Sequence, residues 1–199
     1  MNKLKSIYPT LFLKALLFAV ALSSCKKDKE VNLNSPMYQI ERSEKLILPA
    51  EVDLPTGNTR VATFFAEGVQ KYKAQVKAGS NPVTYEWAFV APQADLYDIT
   101  DKKIGTHAAG PTWQLSAADS IYGQHFSPAK TAPSPDANSI DWLLLMPKAG
   151  KTPTGIFANV SYIQRIATVG GKAPAVLPTN AAETAEVKYT AIYRFTKKN

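Results

Sequence analysis

The side chains with most chemistry to offer are few: His107, His125, Arg165, Gln70, Tyr72, and the tryptophans Trp87, Trp113 and Trp142. His107 lies in a Gly- and Pro-rich segment that reads as a turn or strand edge. It could serve as a base, a metal ligand or a hydrogen-bonded wedge. Trp113 follows shortly after, and the small residues between them permit close backbone approach. Trp113 reads as the exposed tryptophan, a stacking platform for a sugar or an aromatic ligand. Trp87 and Trp142 sit in apolar runs and read as core. Arg165 reads either as a solvent-facing arginine or as an anion clamp, since a guanidinium binds carboxylate or phosphate through a bidentate fork. Gln70 and Tyr72 share a strand face with Ala74 and Val76. A glutamine on an apolar face is costly unless its amide is bonded, so Gln70 marks a pocket or a buried network.

Catalytic signatures are thin. There is no G-x-S-x-G elbow, and Ser116 and Ser120 near Asp119 do not by themselves make a triad. A carboxylate pair would have to come from Asp95, Asp98, Asp119 or Asp141. A metal site would need His107 and His125 to converge with Asp or Glu, and the reading here is no metal and no cofactor. His107 is the candidate catalytic residue if there is one. The binding candidates are Gln70, Tyr72, His107, Trp113 and Arg165. Whether the chain is an enzyme stays open.

The amino terminus carries a different kind of chemistry. Lys3, Lys5 and Lys14 precede an apolar run from Ala15 to Leu22, with no acid before Asp28. That run is shorter than the roughly 20 residues needed to span a bilayer, and its pattern is that of a secretory signal. Leu22-Ser23-Ser24-Cys25 looks like the lipobox of bacterial lipoproteins, which makes Cys25 the acylation site. The expected divisions are a signal at 1–24, a lipidated cysteine and polar tether at 25–45, and one β-rich domain at 46–199. The expected partners are a lipid bilayer, through acylated Cys25, and a small-molecule or envelope ligand. The expected location is the cell envelope, at the outer membrane, either face of it.

Charge supports no nucleic-acid partner. The formal charge is +7, and without the three signal lysines it falls to +4. No basic run is interleaved with aromatics as a nucleic-acid groove would be. Cys25 is the only cysteine, so the fold must rest on its core rather than on disulfides.

The elements that must position these residues are strands. Val187, Tyr189, Ala191, Tyr193 and Phe195 alternate with polar neighbours, as a half-buried strand does. Tyr85, Trp87 and Phe89 do the same, and so do Tyr72, Ala74 and Val76. Ala158, Val160, Tyr162 and Ile166 share one face, with Gln164 among them, which would turn Arg165 the other way. Ile140 to Met146 reads as a strand buried on both faces. Turn signals at Pro55-Thr56-Gly57-Asn58, Gly79-Ser80-Asn81-Pro82, Gly110-Pro111 and Gly170-Gly171 are dense enough for a sandwich or barrel. Helix candidates are short, Ala117–Ser120 and Asn180–Ala185. The fold class is all-β: an antiparallel sandwich or barrel with long loops and little helix.

Several segments taken together resemble the DUF3455 family. They are Gly68-Val69-Gln70-Lys71-Tyr72, then Trp87-Ala88-Phe89-Val90-Ala91-Pro92-Gln93-Ala94-Asp95-Leu96-Tyr97-Asp98, then Gly105-Thr106-His107-Ala108-Ala109-Gly110-Pro111-Thr112-Trp113. Ile140-Asp141-Trp142-Leu143-Leu144-Leu145, Tyr162-Ile163-Gln164-Arg165 and Thr168-Val169-Gly170-Gly171-Lys172-Ala173-Pro174 complete the set, across roughly residues 46–196. The resemblance implies an exported protein and no established chemistry. Some fungal members carry a malate dehydrogenase label, which this chain does not support: it has no G-x-G-x-x-G after a strand and no βαβ rhythm. Family members often carry two cysteines where this chain has Ala74 and the stretch Val176 to Pro178. If those cysteines pair elsewhere, other packing must stand in for the bridge here.

Overall fold

A computed structural model describes residues 32–199. The expected signal, Cys25 and the first part of the expected tether lie outside the described residues. Eight antiparallel strands close into a barrel in chain order: β1 (Asn58–Val76), β2 (Tyr85–Tyr97), β3 (Lys103–Ala108), β4 (Thr112–Gln114), β5 (Ser120–Ala132), β6 (Trp142–Pro147), β7 (Tyr162–Gly170) and β8 (Thr184–Lys198). Each strand pairs with its sequence neighbour, and β8 returns to pair with β1 from Asn58↔Lys198 to Lys73↔Thr184. The fold is thus all-β, and of the two expected architectures it is the barrel. The regions expected to offer short helices hold none: Ala117–Ser120 is bend and strand start, and Asn180–Ala185 is turn and strand start.

Alternation along the strands sorts side chains into two cores. Phe64 and Ala66 of β1, Leu96 of β2, Trp113 of β4, Ile121 of β5, Leu145 of β6, Ile163 of β7 and Tyr193 and Phe195 of β8 meet in one cluster. Residues from opposite sides of a ring can meet only inside it, so this cluster fills the barrel. Phe157, from a 3-10 turn at Gly155–Phe157, closes one end against Phe64 and Phe195. The second cluster is outside. Phe65, Trp142, Leu144, Tyr162, Ile166 and Ile192 face outward from β1, β6, β7 and β8.

That outer face is covered by the segment before β1. A helix, α1 (Pro36–Ser43), begins with Ser35 as N-cap, its Oγ accepting from the Tyr38 amide, and Pro36 in the first turn, where a missing N–H costs nothing. Ile40 and Val52 are buried in the outer cluster, with Leu46, Leu48 and Leu54 packed beside them. The part of the expected tether after residue 35 is therefore built into the body, and the ordered unit begins upstream of residue 46.

Two polar residues of the outer face hold this strap. The Gln164 amide donates to the Val52 carbonyl at 2.7 Å. Arg194, buried on β8, donates to the Ser43 carbonyl at 2.6 Å, at the end of α1 where carbonyls lack helical partners. Its guanidinium also lies 3.6 Å from Glu44. Arg194→Ala should cost about 1.5–3 kcal/mol, the range for a hydrogen bond to a charged group. Urea denaturation checks it. An unchanged midpoint would mean that α1 is held by apolar contact alone.

β7 departs from its sequence reading. It starts at Tyr162, after the 3-10 turn, so Ala158 and Val160 are not strand residues. Tyr162, Gln164 and Ile166 point outward beneath the strap, and Ile163 and Arg165 point inward. Arg165 faces the lumen, not solvent.

Candidate functional site

The barrel is not filled along its whole length. Above the layer of Phe64, Ile121 and Phe195 lies a cavity of about 270 Å³, with lining residues from all eight strands and the turn between β3 and β4. Eight-stranded barrels are about wide enough to be filled by side chains or to hold one small ligand. Here one end is filled and the other is open.

Gln70, His107, Trp113 and Arg165 all line this cavity. They are four of the five expected binding residues, and topology explains why they meet. Gln70 lies two residues beyond Gly68 on the inner face of β1. His107 and Trp113 are direct cross-strand partners at the short β3–β4 hairpin. Arg165 pairs with Tyr193 of β8 on one side and Leu143 of β6 on the other. Tyr72 is absent from the lining; its hydroxyl donates to the Gly171 carbonyl at 2.6 Å and its ring meets Phe89 edge-on.

Trp113 is fully buried, contrary to its reading as the exposed tryptophan. The tryptophan with partial exposure is Trp87, whose indole N–H donates to the Val176 carbonyl at 2.9 Å. Trp142 is core, as expected, but of the outer cluster. The Trp87 bond spans the place where relatives were expected to carry cysteines. Ala74 pairs with Trp87 across β1–β2, and its amide donates to the Glu183 carbonyl at 2.8 Å. Two hydrogen bonds thus pin the 172–183 loop to the hairpin without a covalent link.

His107 is held on three sides. Its ring stacks on Trp113 at 4.5 Å and 14°, and Tyr193 leans on it at 4.8 Å. Its Nδ1 lies 2.8 Å from the Thr112 carbonyl. A carbonyl can only accept, so Nδ1 carries the proton and the neutral ring keeps its Nε2 lone pair. Burial pushes the His107 pKa down to about 3, and the Arg165 charge pushes the same way, against the Thr112 bond.

A stability effect follows from this shift. The unfolded chain protonates His107 near 6.5, and the folded chain holds it neutral down to about pH 3. Between those values the unfolded state binds more protons, so stability is complete above pH 6.5 and is lost as pH falls towards 3. The slope approaches about 1.4 kcal/mol per pH unit from this residue. Chemical denaturation at pH 7, 6, 5 and 4 measures it. His107→Gln should flatten the slope over that window, and parallel slopes in the two proteins would refute the assignment.

The cavity contains polar groups that sequence reasoning missed. Tyr193 was legible only as an apolar inner-face residue, yet its hydroxyl is buried and has no hydrogen-bond partner. Tyr189, two alternations earlier on the same face of β8 and behind the lining, is in the same condition. Burial raises the pKa of both phenols, so both stay protonated. The Gln70 side-chain nitrogen and the Trp113 indole nitrogen are also buried without partners. His125 is exposed yet lines the cavity. Among the described residues no cluster of three His, Cys, Asp or Glu side chains is present, and no Asp or Glu lines the cavity.

The rim is irregular. On β2, Val90 is an extra residue between Ala91, paired with Lys71, and Phe89, paired with Tyr72. On β5, residues 126–129 loop out between His125↔Leu145 and Lys130↔Leu144. On β7, Ile166 and Val169 face Ile192 and Thr190, which leaves one residue too many, and Ala167 takes a left-handed φ of 49°. Bulges are common at barrel rims and beside sites, where they re-aim side chains. These three surround the open end and sit next to Phe89, His125 and Arg165.

The class is therefore a small antiparallel barrel with one open, polar-lined end. The chain belongs to the family described as protein of unknown function (DUF3455), whose model matches residues 55–197. No curated protein and no solved structure matches it. The segments that carry the family resemblance include those that supply Gln70, Pro92, His107, Gly110, Trp113 and Arg165 to the cavity.

Proposed function

We propose that this protein is a membrane-anchored envelope lipoprotein whose barrel binds a small organic molecule in its open end. The observation that carries the binding reading is the set of buried polar atoms without partners in the lining: Gln70 Nε2, Trp113 Nε1 and the Tyr193 hydroxyl. An unpaired buried polar group costs about 1–3 kcal/mol, and three around one cavity favour an occupant that bonds them. The cavity is smaller than the roughly 300–1,000 Å³ typical of drug-sized ligands, so the ligand is compact.

The alternative of a hydrolase or isomerase with His107 as general base fares less well. A general base works best with a pKa near the working pH, and burial holds His107 at about 3. No carboxylate in the lining is available to orient or charge it. A pocketless interaction module is disfavoured by the cavity itself.

Two measurements test the reading. A thermal-shift screen of the full chain in detergent, across sugars, short acids, amides and alcohols, should find compounds that raise Tm and lose their effect in Gln70→Leu. A flat screen would count against lumen binding. For the anchor, wild type should sediment with membranes and incorporate labelled palmitate, and Cys25→Ser should do neither. Stable anchoring takes about two acyl chains. Membrane association that survives Cys25→Ser would overturn the lipoprotein reading.

A further inference from the structure

We infer that the lumen ligand is a small monocarboxylate with a compact apolar or aromatic body, its carboxylate seated at Arg165. This rests on the lumen-binding reading and narrows it to one chemical class.

Charge comes first. Arg165 carries the only permanent charge in the lining, and no salt bridge among the described residues engages it. Its Nε and one terminal nitrogen donate to the Asp141 backbone carbonyl at 3.1 and 2.8 Å. That carbonyl fixes the guanidinium plane but does not neutralise it, and the second terminal nitrogen keeps its hydrogens. The Arg165 charge acts on Tyr72, His107, Tyr189 and Tyr193, which places it at the electrostatic centre of the polar group. A half-buried cation without a counter-ion favours an anionic guest.

The hydrogen-bonding census points the same way. Donors dominate: the Gln70 amide and the Trp113 indole N–H have no partner, the Tyr193 hydroxyl lies beside Tyr189 and Arg165 without a well-formed bond to either, and Arg165 gives only Nε and one terminal nitrogen to Asp141. Against them stands the His107 Nε2 lone pair. A guest rich in acceptors fits this set, and a carboxylate offers about four lone-pair sites on two oxygens. Because His107 stays neutral it cannot balance a second negative charge. A phosphate dianion would leave an uncompensated charge in a partly buried lumen, which is costly.

Apart from His125 at the exposed edge, the remainder of the wall is mostly apolar. Leu143, Leu145, Phe89, Val90 and Pro92 line it. The volume equals about nine waters at roughly 30 Å³ each, which suits a single ring or a short chain behind the carboxylate.

Isothermal titration of the full chain in detergent tests this with matched probes: benzoate and phenylacetate, their amides, and phenyl phosphate. The acids should bind at least about tenfold tighter than the amides and tighter than phenyl phosphate, as expected for a charge-assisted bond. Arg165→Gln, checked for an intact thermal transition, should weaken benzoate at least about tenfold, and Arg165→Lys less. Amides that match the acids, phenyl phosphate as the tightest probe, or a folded Arg165→Gln that keeps benzoate affinity would overturn the carboxylate assignment and leave lumen binding standing. Failure of every probe, together with the flat screen above, would sink both. The acid–amide comparison uses wild type and so does not depend on how well the variants fold.

Discussion

Removing residues 186–199 is expected to leave a chain that does not fold. The truncation deletes nearly all of β8, the strand that closes the ring by pairing with both β1 and β7. Residues Ala191 to Thr196 are buried without a break, because β8 faces the lumen core on one side and the strap on the other. Tyr189, Ile192, Tyr193 and Phe195 are among the largest side chains lost. At about 1.5–3 kcal/mol for each large apolar side chain, four of them amount to roughly 6–12 kcal/mol. Whole-domain stabilities are about 5–15 kcal/mol. The deletion also strips Ser43 of its bond from Arg194 and leaves β1 and β7 without partners. Circular dichroism should show no cooperative melt. A soluble truncation with a sharp transition would mean that the barrel can stand open.

Gly68→Ala should be the most damaging single substitution. Gly68 sits in β1 between Ala94 of β2 and Tyr189 of β8, where the filled layer gives way to the cavity. A Cβ there would lie 2.5 Å from the Ala94 Cα and closer still to the Gln93 carbonyl oxygen. Both obstacles are backbone, so no side chain can swing aside. The strands would have to part, and Gln70 would move with them. A loss of about 3–5 kcal/mol is expected, at the upper end of what point substitutions do. Gly79→Ala is the control. It has a φ of 73°, but a Cβ there meets nothing within 4 Å, so only the roughly 1–2 kcal/mol of left-handed backbone applies. Equal midpoints for the two variants would show that β1 and β2 can separate cheaply.

Strand content was legible because alternation survives wherever one face is buried. β8, the upper part of β1 and the start of β2 were readable for this reason. The misreading of β7 has a simple cause. A half-buried strand is normally read as core on its apolar face and solvent on the other. β7 has core on both: Tyr162 and Ile166 lie under the strap, while Ile163 and Arg165 line the inside. Arg165 therefore looked solvent-facing when it faces the lumen. The strap was itself hard to see, since α1 is short and its sequence is largely polar, although Ser35-Pro36 is a fair helix start. Trp113 looked exposed because Gly and Pro flank it. In the structure those residues make the tight hairpin that turns it inward against His107. Nothing in spacing alone could bring Gln70 to Arg165; the closure of β1 on β8 does that.

The shortness of β3 and β4 has a further consequence. β2 pairs with β3 only from Ala94 to Tyr97, so among the described residues its stretch from Tyr85 to Gln93 has β1 on one side and no strand on the other. An exposed backbone edge of this kind can recruit another chain and seed aggregation. Here the edge carries Pro92, which cannot donate, and the extra residue Val90, which breaks the ladder's regular spacing. Replacing Pro92 with a β-former, or deleting Val90, would restore a flat template beside the exposed Phe89. The irregularity that shapes the mouth of the cavity is thus also of the kind that disfavours edge-to-edge pairing between copies.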